Sequence, residues 1–166
     1  MTGLVTARLR GEPVAERHHA ALCALLGDPR VGATLGGVAD AGAVTAQIAA
    51  LASHWERHGF GYWMWFDRET GEPVGRGGLS RTHVGGRDEV EVGWAVRPER
   101  WGEGHATEMG DAAVAFAFDR LGLDDVVAYT LPDNRSSRRV MEKLGFQYER
   151  DVVHANLPHV LYRRRR

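Results

Sequence analysis

Hydrophobic and polar positions along this chain repeat with two different periods. Ala20, Leu22, Cys23, Leu25 and Leu26 give Ala15 to Leu26 the stripe of an amphipathic helix, which Asp28-Pro29 ends. Val44, Ile48, Leu51, Ala52 and Trp55 follow helical steps through Ala39 to His58, and Gly59 stops this second helix. Ahead of both, Leu4 to Leu9 can form a short strand. At Tyr62 the character changes. Tyr62 to Phe66 is an aromatic block that suits a strand covered on both faces. Glu69 to Glu72 is a hairpin turn, Val74 to Thr82 a glycine-rich return strand close to another backbone, and His83 to Arg87 the next turn. Val90, Val92, Trp94 and Val96 alternate with Glu91, Gly93 and Ala95, so Val90 to Val96 is a strand with two unlike faces.

Pro98 ends that strand. Gly104 to Leu121 is a helix that buries Ala106, Met109, Ala113, Phe116 and Ala117, with Gly122 as its stop. Val126 to Leu131 is a strand, Asn134 to Leu144 a helix closed by Gly145, and Phe146 to Val153 and Leu157 to Tyr162 are the last strands. This order puts helices on the faces of one mixed sheet, an α/β protein in the loose sense or α+β. The 166 residues are expected to form a single domain.

Composition adds exclusions. With 43% hydrophobic and 26% charged residues the chain is too apolar for disorder. A formal charge of −1 gives no overall field for nucleic acid or an anionic membrane. Arg163 to Arg166 are a local basic run, read as a solvated tail because no aromatic platform accompanies them. One cysteine, Cys23, leaves no disulfide within the chain and reads as a small hydrophobe on its helix. No signal-peptide pattern and no membrane-length apolar stretch are present, so a cytoplasmic protein is expected. His54 and His58 share a helix face without a third ligand nearby, and no metal is expected.

The chemistry begins at Arg97-Pro98-Glu99-Arg100-Trp101-Gly102-Glu103-Gly104-His105-Ala106-Thr107. A helix N-terminus presents unpaired N–H groups and partial positive charge, which suits phosphate. Gly102 and Gly104 permit positive φ and close approach, Ala106 keeps the first turn clear, and Arg100 adds a cation. A plain tight turn accounts for the glycines equally well on local grounds. A dinucleotide-binding GxGxxG turn fits poorly, because Thr107 stands where glycine or alanine is needed and the preceding strands are hairpins. No Walker sequence occurs. A second motif, Asp133-Asn134-Arg135-Ser136-Ser137, opens the next helix; Asn134 can cap it, and Gly145 closes it.

Together, EVGWAVRPERWGEGHATEM and NRSSRRVMEKLGF resemble the GNAT superfamily of N-acetyltransferases, most of all the branch of bacterial ribosomal-protein N-terminal (alanine/serine) acetyltransferases. The resemblance implies a splayed, mainly antiparallel mixed sheet with helices on both faces. It implies acetyl-CoA as co-substrate, its pantetheine arm beside Trp94, Ala95 and Val96 and its pyrophosphate on Trp101, Gly102, Glu103, Gly104, His105, Ala106 and Thr107. Asn134 would touch the coenzyme from the far side of the opening; Arg138 or Arg139 would reach nucleotide phosphates or simply face water. Trp101 replaces the Gln or Arg common at the start of the cradle, as in that branch. Met141 stands seven residues after Asn134, where many members carry a tyrosine acid. Ser137, one turn earlier, then becomes the group that steadies the departing thiolate, with Tyr148 as a substitute acid.

An attacking amine must be neutral, so a base is useful. Glu91 is the candidate, because Gly93 and Ala95 leave room beside it; a solvated strand charge is its ordinary alternative. Strand backbone near Trp94 to Val96 would serve the oxyanion. The acceptor would lie against the first two helices, which carry Glu16, His18, His19, Glu56, Arg57 and His58, and would be a protein N-terminus or a small amine. A module that senses acetyl-CoA without turnover is the alternative that Met141 permits, and a dinucleotide oxidoreductase is a third reading. Dimers are common among similar proteins, so a homodimer is an expectation.

Overall fold

The computed structural model describes residues 2–166. Its centre is one eight-stranded sheet: β1 Leu4–Val5, β2 Leu9–Pro13, β3 Tyr62–Asp67, β4 Pro73–Val84, β5 Arg87–Val96, β6 Asp125–Thr130, β7 Gln147–His154 and β8 Leu157–Arg165. The spatial order is β1-β2-β3-β4-β5-β6-β8-β7. Every pairing is antiparallel except β5 with β6. α1 His19–Leu26, α2 Pro29–Leu35 and α3 Ala41–His58 precede β3; α4 His105–Asp119 and α5 Arg135–Lys143 follow β5 and β6. Among the described residues no helix is long and apolar enough to cross a membrane.

Strand alternation sends neighbouring residues into separate cores. Trp63, Trp65, Val92 and Val96 pack with Met109, Ala113, Phe116 and Ala117 of α4 and Met141 of α5. Tyr62, Met64 and Ala95 face the other way, onto Leu22, Leu25, Leu26, Val31, Val44 and Ile48 of the first three helices. Glycines let β4 press against its neighbours. A Cβ at Gly75 would stand 2.2 Å from the Ala95 carbonyl, and one at Gly78 would stand 2.4 Å from that of Gly61.

Four local expectations change. The first strand breaks into β1 and β2, because Glu108 of α4 accepts from Thr6 Oγ1 at 2.6 Å and Arg8 N–H at 2.8 Å and folds the chain between them. Ala15 to Leu26 begins with a 3-10 turn, Glu16–His18, before α1. Asp28-Pro29 does more than end a helix: Asp28 caps α2 and Pro29 occupies its first turn, where a missing N–H costs nothing. The turn between β4 and β5 tightens to Gly85-Gly86, both at positive φ.

The basic C-terminal run is not a solvated tail. β8 carries Arg163 to Arg165 between β6 and β7, pairing Arg163 with Val127 and Gln147. Arg163 is buried and contacts Glu89 at 2.7 Å, Asp125 at 2.6 Å and Glu149 at 2.6 Å, which raise the guanidinium pKa. One cation thus ties together β5, β6, β7 and β8. Cys23 is half-buried against the core of the first helices. His54 is buried with Nδ1 2.8 Å from the Phe60 carbonyl and Nε2 accepting from Arg81 N–H at 3.0 Å, so both ring nitrogens are occupied. Among the described residues no His, Cys, Asp and Glu cluster could hold a metal ion.

Candidate active site

β5 and β6 share one parallel register pair, Glu91 opposite Val127, and separate beyond it. A cavity of about 920 Å³ runs through this parting and is lined on both sides of the sheet. Ladder geometry decides which backbone groups face it. Arg97 N–H donates to the Val74 carbonyl, and in an antiparallel pair alternate residues turn toward the partner. Gly93 and Ala95 therefore address β4, while the N–H groups of Trp94 and Val96 point into the opening. Ala95 contributes its small side chain to the face of α1, α2 and α3.

At the mouth of the opening the chain turns into α4. Gly102 and Gly104 have φ of +79° and +82°, where a side chain would be strained, and Gly104 is the N-cap. The first helical bond runs from Glu108 N–H to Gly104 O, at 3.1 Å. Among the described residues, the amides of Gly102, Glu103, Gly104, His105, Ala106 and Thr107 find no acceptor. This array, with the helix dipole behind it, is chemically an anion seat. All of these residues except Glu103 line the cavity, as does Trp101, whose Nε1 donates to the Val96 carbonyl at 2.7 Å.

Side chains behind the seat hold its shape. Arg100 is not the free cation the sequence suggests; it contacts Asp67 at 2.9 Å and Glu103 at 2.8 Å. Arg100 holds the Asp67 carboxyl down at about 2. Glu103 Oε2 lies 2.8 Å from Nε2 of buried His105, and Arg8 Nη1 donates to the Glu103 carbonyl at 2.8 Å. Opposite the seat, Asn134 caps α5 by accepting from Ser137 N–H at 3.2 Å, and its Nδ2 donates to Thr130 Oγ1 at 3.0 Å. Ser137 lines the cavity, and its hydroxyl has no hydrogen-bond partner among the described residues. Met141 is buried beneath it. Arg139 lines the cavity, whereas Arg138 bonds the Tyr162 hydroxyl and the Pro132 carbonyl.

Glu91 lies on the sheet face of Gly93 and Ala95, as alternation predicts, and it lines the cavity. Burial raises its pKa, against the opposing pull of Tyr129, Arg76, His154 and Tyr62. Tyr62 Oη lies 3.4 Å from Glu91 Oε1. Tyr129 stands beside the same carboxyl, 3.1 Å from Thr82 Oγ1 and 3.5 Å from His154 Nε2. Burial, reinforced by Glu91, pushes both phenols up, so both remain donors. Gly93 makes room for this arrangement: a Cβ there would sit 2.0 Å from Tyr62 Oη.

Tyr62, Arg76, Tyr129 and His154 escaped the sequence reading because they come from four strands and share no motif. The available signal was Arg76, the one charged residue in the apolar and glycine stretch from Pro73 to Leu79 of β4. Tyr148, the substitute acid, is exposed on β7 with its hydroxyl on Asp151 and does not line the cavity. From the first three helices and their connections the cavity is lined by Leu26, Val31, Thr34, Leu35, Gly36, Gly37, Ala39 and Gln47, and by none of the polar residues expected there, Glu16, His18, His19, Glu56, Arg57 and His58.

Residues 8–147 match the family model described as an acetyltransferase (GNAT) domain. YkkB of Bacillus subtilis is 28% identical over 165 residues, covering 99% of this chain and 96% of that protein. The crystal structure of an acetyltransferase from Agrobacterium tumefaciens is similar with a TM-score of 0.88 and 27% identity, over 100% of this chain and 95% of its own. A ribosomal-protein alanine acetyltransferase of Vibrio fischeri shares the fold at a TM-score of 0.79 and 13% identity, with 99% and 97% covered.

Proposed function

The chain belongs to the GNAT acetyltransferases, and from that premise we propose that it transfers the acetyl group of acetyl-CoA to a primary amine, by direct attack in a ternary complex. The acceptor in this reading is a protein N-terminus or a small amine. The observation that carries it is the parting of β5 from β6, with the unpaired amides of α4 at one end and Glu91 on the other face of the sheet. The residues fit the coenzyme. Positive-φ Gly102 and Gly104 keep side chains off the pyrophosphate seat, and the Trp94 and Val96 N–H groups await a partner along the arm.

Glu91 takes the proton of the incoming amine, and its raised pKa makes it a better base than an exposed carboxylate. The Trp94 or Val96 N–H stabilises the oxyanion on the thioester carbonyl. Ser137 donates its unengaged hydroxyl to the departing thiolate, a task Met141 cannot perform. Asn134 shapes the far wall through its two side-chain bonds. Thermal melts test the cofactor assignment: acetyl-CoA should raise Tm with its concentration while NAD(P)H leaves it unmoved. Thiol release with a panel of amines then tests transfer, and unchanged kcat in both Glu91→Gln and Ser137→Ala would sink the residue roles.

A further inference from the structure

Arg76 lies in the middle of β4, directly across the ladder from Ala95. Opposed residues share a face, so Arg76 projects to the side that also carries Gly93 and Glu91. It lines the same cavity. Its guanidinium carbon is 5.0 Å from the centroid of the Tyr62 ring, and the hydroxyl of that ring is the group 3.4 Å from Glu91. Tyr62 therefore spans the space between a cation and a carboxylate that make no ion pair. Among the described residues the Arg76 guanidinium has no hydrogen-bond or ion-pair partner, and its Nε is buried.

This is unlike the other enclosed arginines. Arg163 is saturated by Glu89, Asp125 and Glu149, and Arg100 by Asp67 and Glu103. A guanidinium is a planar fork of donors suited to a carboxylate, and holding a bare one inside a cavity is costly. The coenzyme phosphates do not satisfy it, because the amide seat heads α4, which covers the opposite face of the sheet. The remaining wall mixes apolar Leu26, Val31, Leu35 and Leu157 with the neutral polar Thr34 and Gln47. We propose that the acceptor is a free α-amino acid, its carboxylate held by Arg76 while its amine faces Glu91. The inference rests on the reading of Glu91 as the acceptor-side base. A protein N-terminus meets the geometry poorly, since its first carbonyl is a neutral amide and leaves Arg76 without a counter-charge.

The test is thiol release from acetyl-CoA with three matched acceptors: leucine, leucinamide and isoamylamine. The wild-type protein should favour leucine by about 100-fold in kcat/KM, as expected for losing one partner of an enclosed charge pair. Arg76→Gln should collapse that preference toward unity through KM for leucine, and Arg76→Lys should keep part of it. Acetyl-CoA-dependent Tm gain checks that each variant is folded and loaded. Equal use of leucinamide or isoamylamine by the wild-type protein overturns the carboxylate requirement and leaves the base assignment standing. Retained preference in Arg76→Gln overturns the role of Arg76. Release with none of the three, while acetyl-CoA still raises Tm, overturns the amino-acid acceptor; absence of any Tm gain marks failure of the underlying coenzyme reading instead.

Discussion

The seat at the head of α4 and the pocket around Glu91 lie at two ends of one cavity and are made by opposite means. The seat is backbone: consecutive amides from Gly102 to Thr107, oriented by two positive-φ glycines and a helix terminus. The pocket is side chain: Tyr62, Arg76, Glu91, Tyr129 and His154, brought in by β3, β4, β5, β6 and β7. Backbone amides cannot be exchanged by substitution, so the seat changes only when chain conformation changes. Each side chain of the pocket can be replaced separately, so under the proposed reading acceptor choice can drift while the coenzyme end stays constant.

That contrast sets the sizes of the expected effects. Glu91→Gln should lower kcat by roughly 100-fold or more, the usual worth of a positioned base, while the Kd for acetyl-CoA holds. If the Kd shifts instead, the two ends are not separate. The pH dependence carries a sign. Because the folded pKa of Glu91 is raised, the folded state binds the proton more tightly than the unfolded chain. Its contribution to stability is full below the ordinary carboxylate pKa and is lost as pH rises through the folded value. Glu91→Gln should therefore melt higher than wild type at neutral pH and lose the rising limb of the kcat/KM profile, whose midpoint lies above the ordinary carboxylate range.

Gly104→Ala should act at the other end. Forcing a Cβ into the left-handed region costs about 1–2 kcal/mol, so Tm falls and the Kd for acetyl-CoA rises by roughly 10-fold; calorimetric titration measures it. Retained affinity would mean that the amides do not carry the pyrophosphate. Ser137→Ala removes the hydrogen bond proposed for the thiolate and should cut kcat by about 5- to 10-fold, seen in single-turnover assays. Tyr148→Phe should change kcat by less than about 2-fold, the scale of an ordinary surface substitution; a larger loss would put β7 in the mechanism.

The seat was legible in sequence because its parts are contiguous: Pro98, Gly102, Gly104 and the helix after them. The pocket was half legible. Glu91 could be named from its small neighbours Gly93 and Ala95, since strand alternation is a local rule. Arg76 and Tyr129 are a strand or more away in sequence, and nothing local marks them as its companions. The wall from α2 was missed for another reason. Asp28-Pro29 is both a stop for one helix and an ideal start for the next, and only the packing of Val31 with Leu22, Leu25 and Leu26 shows which role extends.

The sequence by itself determined the elements and the turn chemistry, because helix caps, strand alternation and positive-φ glycines act over a few residues. It placed the amides of Gly102 to Thr107 at a helix head and Glu91 opposite the side that packs on α4. The tertiary structure decided what long-range pairing alone can decide: that β8 enters between β6 and β7 and buries Arg163 among three carboxylates, that β5 parts from β6 after Glu91, and that Arg76 reaches the cavity without a counter-ion. These are matters of sheet register and desolvation, and neither is written in the spacing of residues along the chain.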